Sequence, residues 1–219
     1  LPCLKKKNVK IARIAILLFT GTIISFLYFK GYWFPLRKDV PGAESGPQAV
    51  MDNYGAEIKQ FSEDYQIPPE YVAALCMLES GGRKPVPSRY EKHVYARLKW
   101  VKLHVKNNYE HVTASDLEDA GDEAIQNLAS SWGPFQLMGY KCLLFDIKVK
   151  DLRGDSGVFW AMKWMTKNYG KYLKRKDYKS AFHIHNAGTP YPKTGKPRTY
   201  DPDYVQDGIK WMAYFKDKF

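Results

Sequence analysis

Pro69-Glu70-Tyr71-Val72-Ala73-Ala74-Leu75-Cys76-Met77-Leu78-Glu79-Ser80-Gly81-Gly82 is the stretch around which the rest of the chain is organised. Val72, Leu75 and Cys76 precede Glu79 by seven, four and three residues, so an α-helix stacks them on the face that carries the carboxylate. The acid is thereby turned toward a core. Gly81 and Gly82 supply the left-handed residue on which helices end, which puts Glu79 in the last turn. An apolar face and the negative end of the helix dipole both disfavour the ionised form, so this carboxyl group is expected to keep its proton to a higher pH than usual. The competing reading is an ordinary terminal glutamate rotated into solvent.

Working outward, a helical period begins near Gln48 and runs through Val50, Tyr54, Ile58, Phe61 and Tyr65 until Pro68 and Pro69 break it. Those prolines also suit the first turn of the Glu79 helix, where a missing amide proton costs little. Lys84 to Ser88 contains two prolines and reads as loop. Arg89-Tyr90-Glu91-Lys92-His93-Val94-Tyr95 opens a long helix through Leu98, Val101, Leu103 and Val105. A cap at Ser115 and a short helix over 116–128 come next, and Ser130 to Tyr140 is a turn entering an apolar helix to about Phe145. Asp155 or Ser156 caps a helix from Gly157 to Lys174, another spans 177–185, and a last one spans 203–219 after a proline- and lysine-rich loop. No alternation marks a strand of more than a few residues. The expected fold class is therefore all-α, with one core over residues 48–219.

The formal charge of +11 suggests a nucleic-acid partner until it is divided. Lys5, Lys6, Lys7, Lys10, Arg13, Lys30, Arg37 and Lys38 precede the first acid, and subtracting these eight from the 34 basic residues leaves 26 against 23 acidic ones. A nearly neutral body without a basic stripe or reader motif argues against nucleic acid. Residues 1–10 read as a basic cytoplasmic tail and 11–30 as a transmembrane anchor, because Ile14 to Phe29 is uncharged and apolar, and Ile11 to Phe29 approaches the ~20 residues that span a bilayer. A cleaved signal peptide and a buried soluble helix are the alternatives. Residues 31–47 form a proline- and glycine-containing linker, so residues 48–219 would lie on the periplasmic or extracytoplasmic side. There, Cys76 and Cys142 can pair, or can simply be two buried thiols.

Glu79-Ser80 is a weak motif alone and gains weight from three later segments. Gly133-Pro134-Phe135-Gln136 sets a backbone bend before an amide that both donates and accepts hydrogen bonds, and His185-Asn186-Ala187-Gly188 repeats the design at another helix end. Tyr204 begins the last helix. An acid, two amides and a tyrosine at element ends suit a polar cleft for an uncharged N-acetylated sugar polymer, although capping and turn formation also explain the amides. His183 and His185, two apart, fall on different helix faces, which argues against a metal pair. Lys163 to Lys176 read as a solvated face, or as a surface for anionic wall polymer or lipid.

In the order and spacing of these motifs the chain resembles the lysozyme-like soluble lytic transglycosylases and goose-type lysozymes over about residues 50–218. Glu79-Ser80 matches the motif of the catalytic acid, and Gly133 to Gln136 matches the glycine-x-x-glutamine motif with Pro134-Phe135 as the middle pair. Asn186 to Gly188 matches the asparagine-alanine-glycine end of a motif in which Ile184-His185 replace alanine-tyrosine, and Tyr204 matches the late tyrosine that orients the acid. The segment 89–95 with Ser131 to Gly139 resembles N-acetylmuramidase domains of phage endolysins, which makes Glu91 a candidate second carboxylate, unless it pairs with Arg89 or Lys92 or caps its helix.

The resemblance implies a cofactor-free, metal-free enzyme with Glu79 as acid and Ser80, Gln136, Asn186 and Tyr204 as substrate-binding residues. It would cleave the β-1,4 bond between N-acetylmuramic acid and N-acetylglucosamine in peptidoglycan, leaving 1,6-anhydro ends. The alternatives are hydrolysis by Glu79 and Glu91 together, and a non-catalytic glycan-holding domain of a secretion or conjugation machine.

Overall fold

Prolines and glycines bracket the Glu79 helix, and their backbone restrictions set its ends. The computed structural model describes residues 44–153 and 156–219. The basic tail (1–10), the candidate anchor (11–30), most of the linker and the candidate cap Asp155 lie outside the described residues. Among the described residues no helix is long and apolar enough to cross a membrane.

The described chain is mostly helical with a few short strands. Helix α1 spans Pro47–Tyr65, α2 Pro69–Ser80, α3 Lys92–Lys102, α4 Asp122–Leu128, α5 Val149–Arg153, α6 Gly157–Lys174, α7 Tyr178–Ala187 and α8 Tyr204–Phe215. Strands are β1 Arg89–Tyr90, β2 Asn108–Tyr109, β3 Val112–Thr113, β4 Ser130–Trp132 and β5 Leu137–Met138.

Gln66, left-handed at φ 52°, ends α1, and Pro69 occupies the first turn of α2. Gly81 at φ 61° closes α2 by donating its N–H to the Met77 carbonyl. Gly82 sits so close beneath α1 that an added Cβ would come within 2.4 Å of the Val50 nitrogen, so no other residue fits there. In return α1 satisfies the carbonyls just beyond α2: Gly46 N–H donates to Gly81 (2.8 Å), the Asn53 amide to Gly82 (2.8 Å) and the Tyr54 hydroxyl to Arg83 (2.7 Å). The Glu79 end of the helix is thus clamped from one side.

Helix α2 is apolar nearly all round, and Tyr71 to Cys76 are fully buried, as such a helix must be. It packs most extensively on α8 and next on α1; α1 also packs on α6, α6 on α7, and α7 on α8. A ring of helices therefore encloses α2. Each core leucine in such packing is worth about 2–5 kcal/mol against alanine, and Leu75 is one of them.

Beside this ring, β1, β4 and β5 form an antiparallel sheet in which Arg89 pairs with Ser131, and Ser131 with Met138. Several expectations are corrected here. Arg89 and Tyr90 form a strand rather than a helix start, α3 stops at Lys102, and Leu103 and Val105 are exposed. The helix expected over 116–128 is a 3-10 turn at Ser115–Leu117 followed by α4. Ser115 provides no side-chain cap; its hydroxyl meets that of Thr113 at 2.9 Å. The run from Ser130 to Phe145 is the β4–β5 hairpin and a 3-10 helix, and α5 is an addition to the expected helices. Ser156 stands at the start of α6 without capping it, because its hydroxyl donates to the Asp151 carbonyl (2.9 Å). Cys76 and Cys142 are both free, buried thiols.

Candidate active site

Glu79 lies one turn beyond the buried Leu75 and Cys76 and two beyond the buried Val72, and its side chain is only 15% exposed. The Tyr204 hydroxyl, at the first turn of α8, donates to Glu79 Oε1. Burial pushes the carboxyl group from its ordinary 4.5 up to about 7, while the Tyr204 hydrogen bond and the more distant Arg89 charge pull it down without reversing the outcome. Burial and the neighbouring carboxylate hold the Tyr204 phenol well above its usual range, so it remains a donor. Oε1 carries the Tyr204 bond, and the acidic proton is left to Oε2.

The ring of His185 stands next to the acid, with Nε2 3.8 Å from the same Oε1. This is longer than a hydrogen bond. Nε2 is 3.0 Å from the Phe135 carbonyl, which only accepts, so Nε2 carries the hydrogen. Burial lowers the imidazole from 6.5 to about 4, and the ring is neutral at neutral pH. Nδ1 must then accept from the Tyr169 hydroxyl at 3.0 Å, which in turn accepts from Tyr71 at 3.4 Å. His183, on the opposite face as the spacing requires, adopts the other tautomer: Nδ1 donates to the Thr189 carbonyl (2.5 Å) and Nε2 accepts from Arg198 N–H (2.9 Å). It fastens the long loop before α8, and so indirectly places Tyr204.

Glu79, Arg89, Glu91, Ser131 and Tyr204 line a cavity of about 490 Å³. Gln136, Met138, His185 and Asn186 line both it and a second cavity of about 630 Å³ walled by Tyr109, Glu110, Tyr140, Lys141, Trp164 and Asn168. The two cavities adjoin across the four shared residues and form a groove, with the acid in the smaller one. Gly133 at φ 73° makes the bend that brings Gln136 to this groove, and a Cβ there would meet the Leu152 carbonyl at 2.2 Å. Gln136 itself is left-handed at φ 47°. Its Oε1 accepts from Ser131 (2.6 Å), and its Nε2 donates to the Gly133 (3.1 Å) and Pro87 (3.3 Å) carbonyls. Its amide knits the groove wall together. Asn186 is exposed on that wall, and its amide bonds to no described residue.

The structure thus brings Glu79, Gln136, Asn186 and Tyr204 together, and Glu91 with them. Ser80, expected to touch substrate, lies outside both cavities: it is buried and donates to the Cys76 carbonyl of its own helix at 3.0 Å. Glu91 occupies the N-cap position of α3 without a side-chain capping bond, because its carboxylate is taken by Arg89 Nε at 2.8 Å, with His93 at 3.6 Å.

Sequence reasoning misses the roles of Tyr169, Tyr71 and His185. Tyr169 is fully buried in the core. A tyrosine on an otherwise apolar helix face also brings a hydroxyl that must find a partner, and that signal is present in the sequence. Among the described residues no group of three or more His, Cys, Asp or Glu side chains is placed to hold a metal ion. No family model, curated protein or solved structure matches the chain.

Proposed function

We propose that the chain is a peptidoglycan lytic transglycosylase of lysozyme-like fold, cleaving the β-1,4 bond between N-acetylmuramic acid and N-acetylglucosamine, with its helical domain held outside the cytoplasm by the 11–30 segment. The observation that carries this reading is a buried Glu79, hydrogen-bonded by Tyr204 and raised by burial to about 7, in the wall of a polar groove. Such a group delivers its proton near neutral pH. The proton passes from Oε2 to the glycosidic oxygen as the C1–O bond breaks. The resulting carboxylate then takes the proton of the muramic acid C6 hydroxyl as that oxygen closes onto C1. One acid serves both transfers, and water enters neither.

A second reading is supported by the presence of Glu91 in the same cavity: a hydrolase in which two carboxyl groups share the work. Pairing with Arg89 at 2.8 Å favours a structural place for Glu91 instead. The test is clearing of purified peptidoglycan by the full-length protein, compared with Glu79→Gln. The proposal requires clearing by the wild type and its loss, by ~100-fold or more, in the variant. Equal clearing by both would remove Glu79 from the reaction, and glycan binding without clearing by either would indicate a glycan-holding domain.

A further inference from the structure

The proposed reaction leaves a need unmet: once Glu79 gives up its proton, a carboxylate stands in a site that disfavours charge, with one donor, Tyr204, on Oε1. We infer that His185 is a positioning residue, a neutral Nε2–H donor fixed by Tyr169 and Phe135 that turns toward the Glu79 carboxylate when it forms. The inference deepens the proposed function and rests on it.

Three observations carry it. The tautomer is dictated on both sides, by a carbonyl that only accepts at Nε2 and a hydroxyl that donates at Nδ1. The ring is held edge-on against Trp164 (centroids 5.5 Å) and Tyr169 (6.2 Å), so its N–H is confined to a narrow arc. Two acceptors lie close to Nε2, the Phe135 carbonyl at 3.0 Å and Glu79 Oε1 at 3.8 Å. Tilting the ring by about 1 Å exchanges one for the other. A charged acceptor wins that competition over a neutral one. His183, two residues earlier, is fully buried with both nitrogens bound to loop backbone.

The other titratable groups around Glu79 are Tyr71 and Cys76 on its own helix, Tyr169 from α6, Tyr204 from α8 and Arg89 from β1, and Glu91, Tyr200 and Asp201 line the same cavity. Lys141 acts on His185 from the groove wall. Of these, the phenols donate only as neutral groups, and Arg89 acts at longer range. His185 is the group whose donor direction can change with the charge on Glu79.

The experiment is an NMR titration of the Glu79 carboxyl carbon in full-length protein, with imidazole nitrogen shifts recorded alongside. His185→Phe keeps the aromatic ring but removes the donor, and should raise the Glu79 midpoint by about one pH unit. His185→Gln, which restores an N–H, should return it toward wild type. Tyr169→Phe frees Nδ1, and should give a smaller rise together with a mixture of imidazole tautomers. An unchanged Glu79 midpoint in folded His185→Phe, or an Nδ1–H tautomer in the wild type, would overturn the inference. If His185→Phe does not fold, an unshifted midpoint in Tyr169→Phe does so equally. Absence of peptidoglycan cleavage by the wild type would instead sink the proposed function, while the titration still decides the donor.

Discussion

Glu79 and Glu91 line one cavity, and their side chains are exposed to similar degrees, 15% and 21%. Their partners differ. Glu79, at the end of a helix enclosed on all sides, meets a phenol and a neutral imidazole; Glu91, between a surface strand and α3, meets a guanidinium at 2.8 Å. Exposure alone does not separate an acid from a structural ion pair. Their surroundings do: burial at the core end of its helix raises the Glu79 carboxyl toward neutral pH beside neutral donors, whereas Glu91 is held in an ion pair with Arg89.

The largest expected effect breaks the pair apart by activity. Glu79→Gln should lose ~100-fold or more on peptidoglycan, and Glu91→Gln should stay within ~10-fold of wild type. Equal losses in two folded variants would make the carboxylates partners and favour hydrolysis.

The next is in stability. The folded pKa of Glu79 lies above its unfolded value, so its contribution is fully present below pH 4.5 and is lost as pH rises through about 7. Glu79→Gln removes that dependence, and its advantage over wild type should widen by on the order of 3 kcal/mol across this window. His185 has the opposite sign: its folded pKa of about 4 lies below its unfolded 6.5, so its contribution is present above 6.5 and lost as pH falls through 4. The two slopes oppose each other between about pH 4.5 and 6.5 in the wild type, and urea denaturation of Glu79→Gln in this range should uncover a stability that rises with pH. A pH-independent difference between the two proteins would contradict the raised pKa of the buried Glu79 carboxyl.

The smallest effect joins the two carboxylates. Arg89→Met frees Glu91 and removes the charge that lowers the pKa of Glu79 from a distance. The Glu79 midpoint should rise by less than about one pH unit in the same NMR titration, and a fall would contradict the assignment of Arg89 as a charge that lowers it.

The α2 region is legible in the sequence because its signals are local. Pro68 and Pro69 set its start, Gly81 and Gly82 its end, and the spacing of Val72, Leu75 and Cys76 sets the direction of Glu79. Tyr204 is legible only as the start of a helix after a stiff loop; its reach to Glu79 spans 125 residues of sequence. The sheet is not legible, because β1, β4 and β5 have two or three residues each and Arg89 finds its partner at Ser131. Without that strand, Glu91 reads as part of a helix. Ser80 misleads for a related reason: its neighbour in sequence faces the groove, but its own hydroxyl turns back on the helix. The Tyr71-Tyr169-His185 relay joins three helices, and no local pattern encodes it.

The most direct test is mass spectrometry of the muropeptides that full-length protein releases from purified peptidoglycan. A single Glu79 performing both proton transfers gives products one water lighter than the hydrolytic ones and lacking a reducing muramic acid end, absent with Glu79→Gln and retained with Glu91→Gln. Reducing-end products only, abolished by Glu91→Gln in a folded protein, would contradict it.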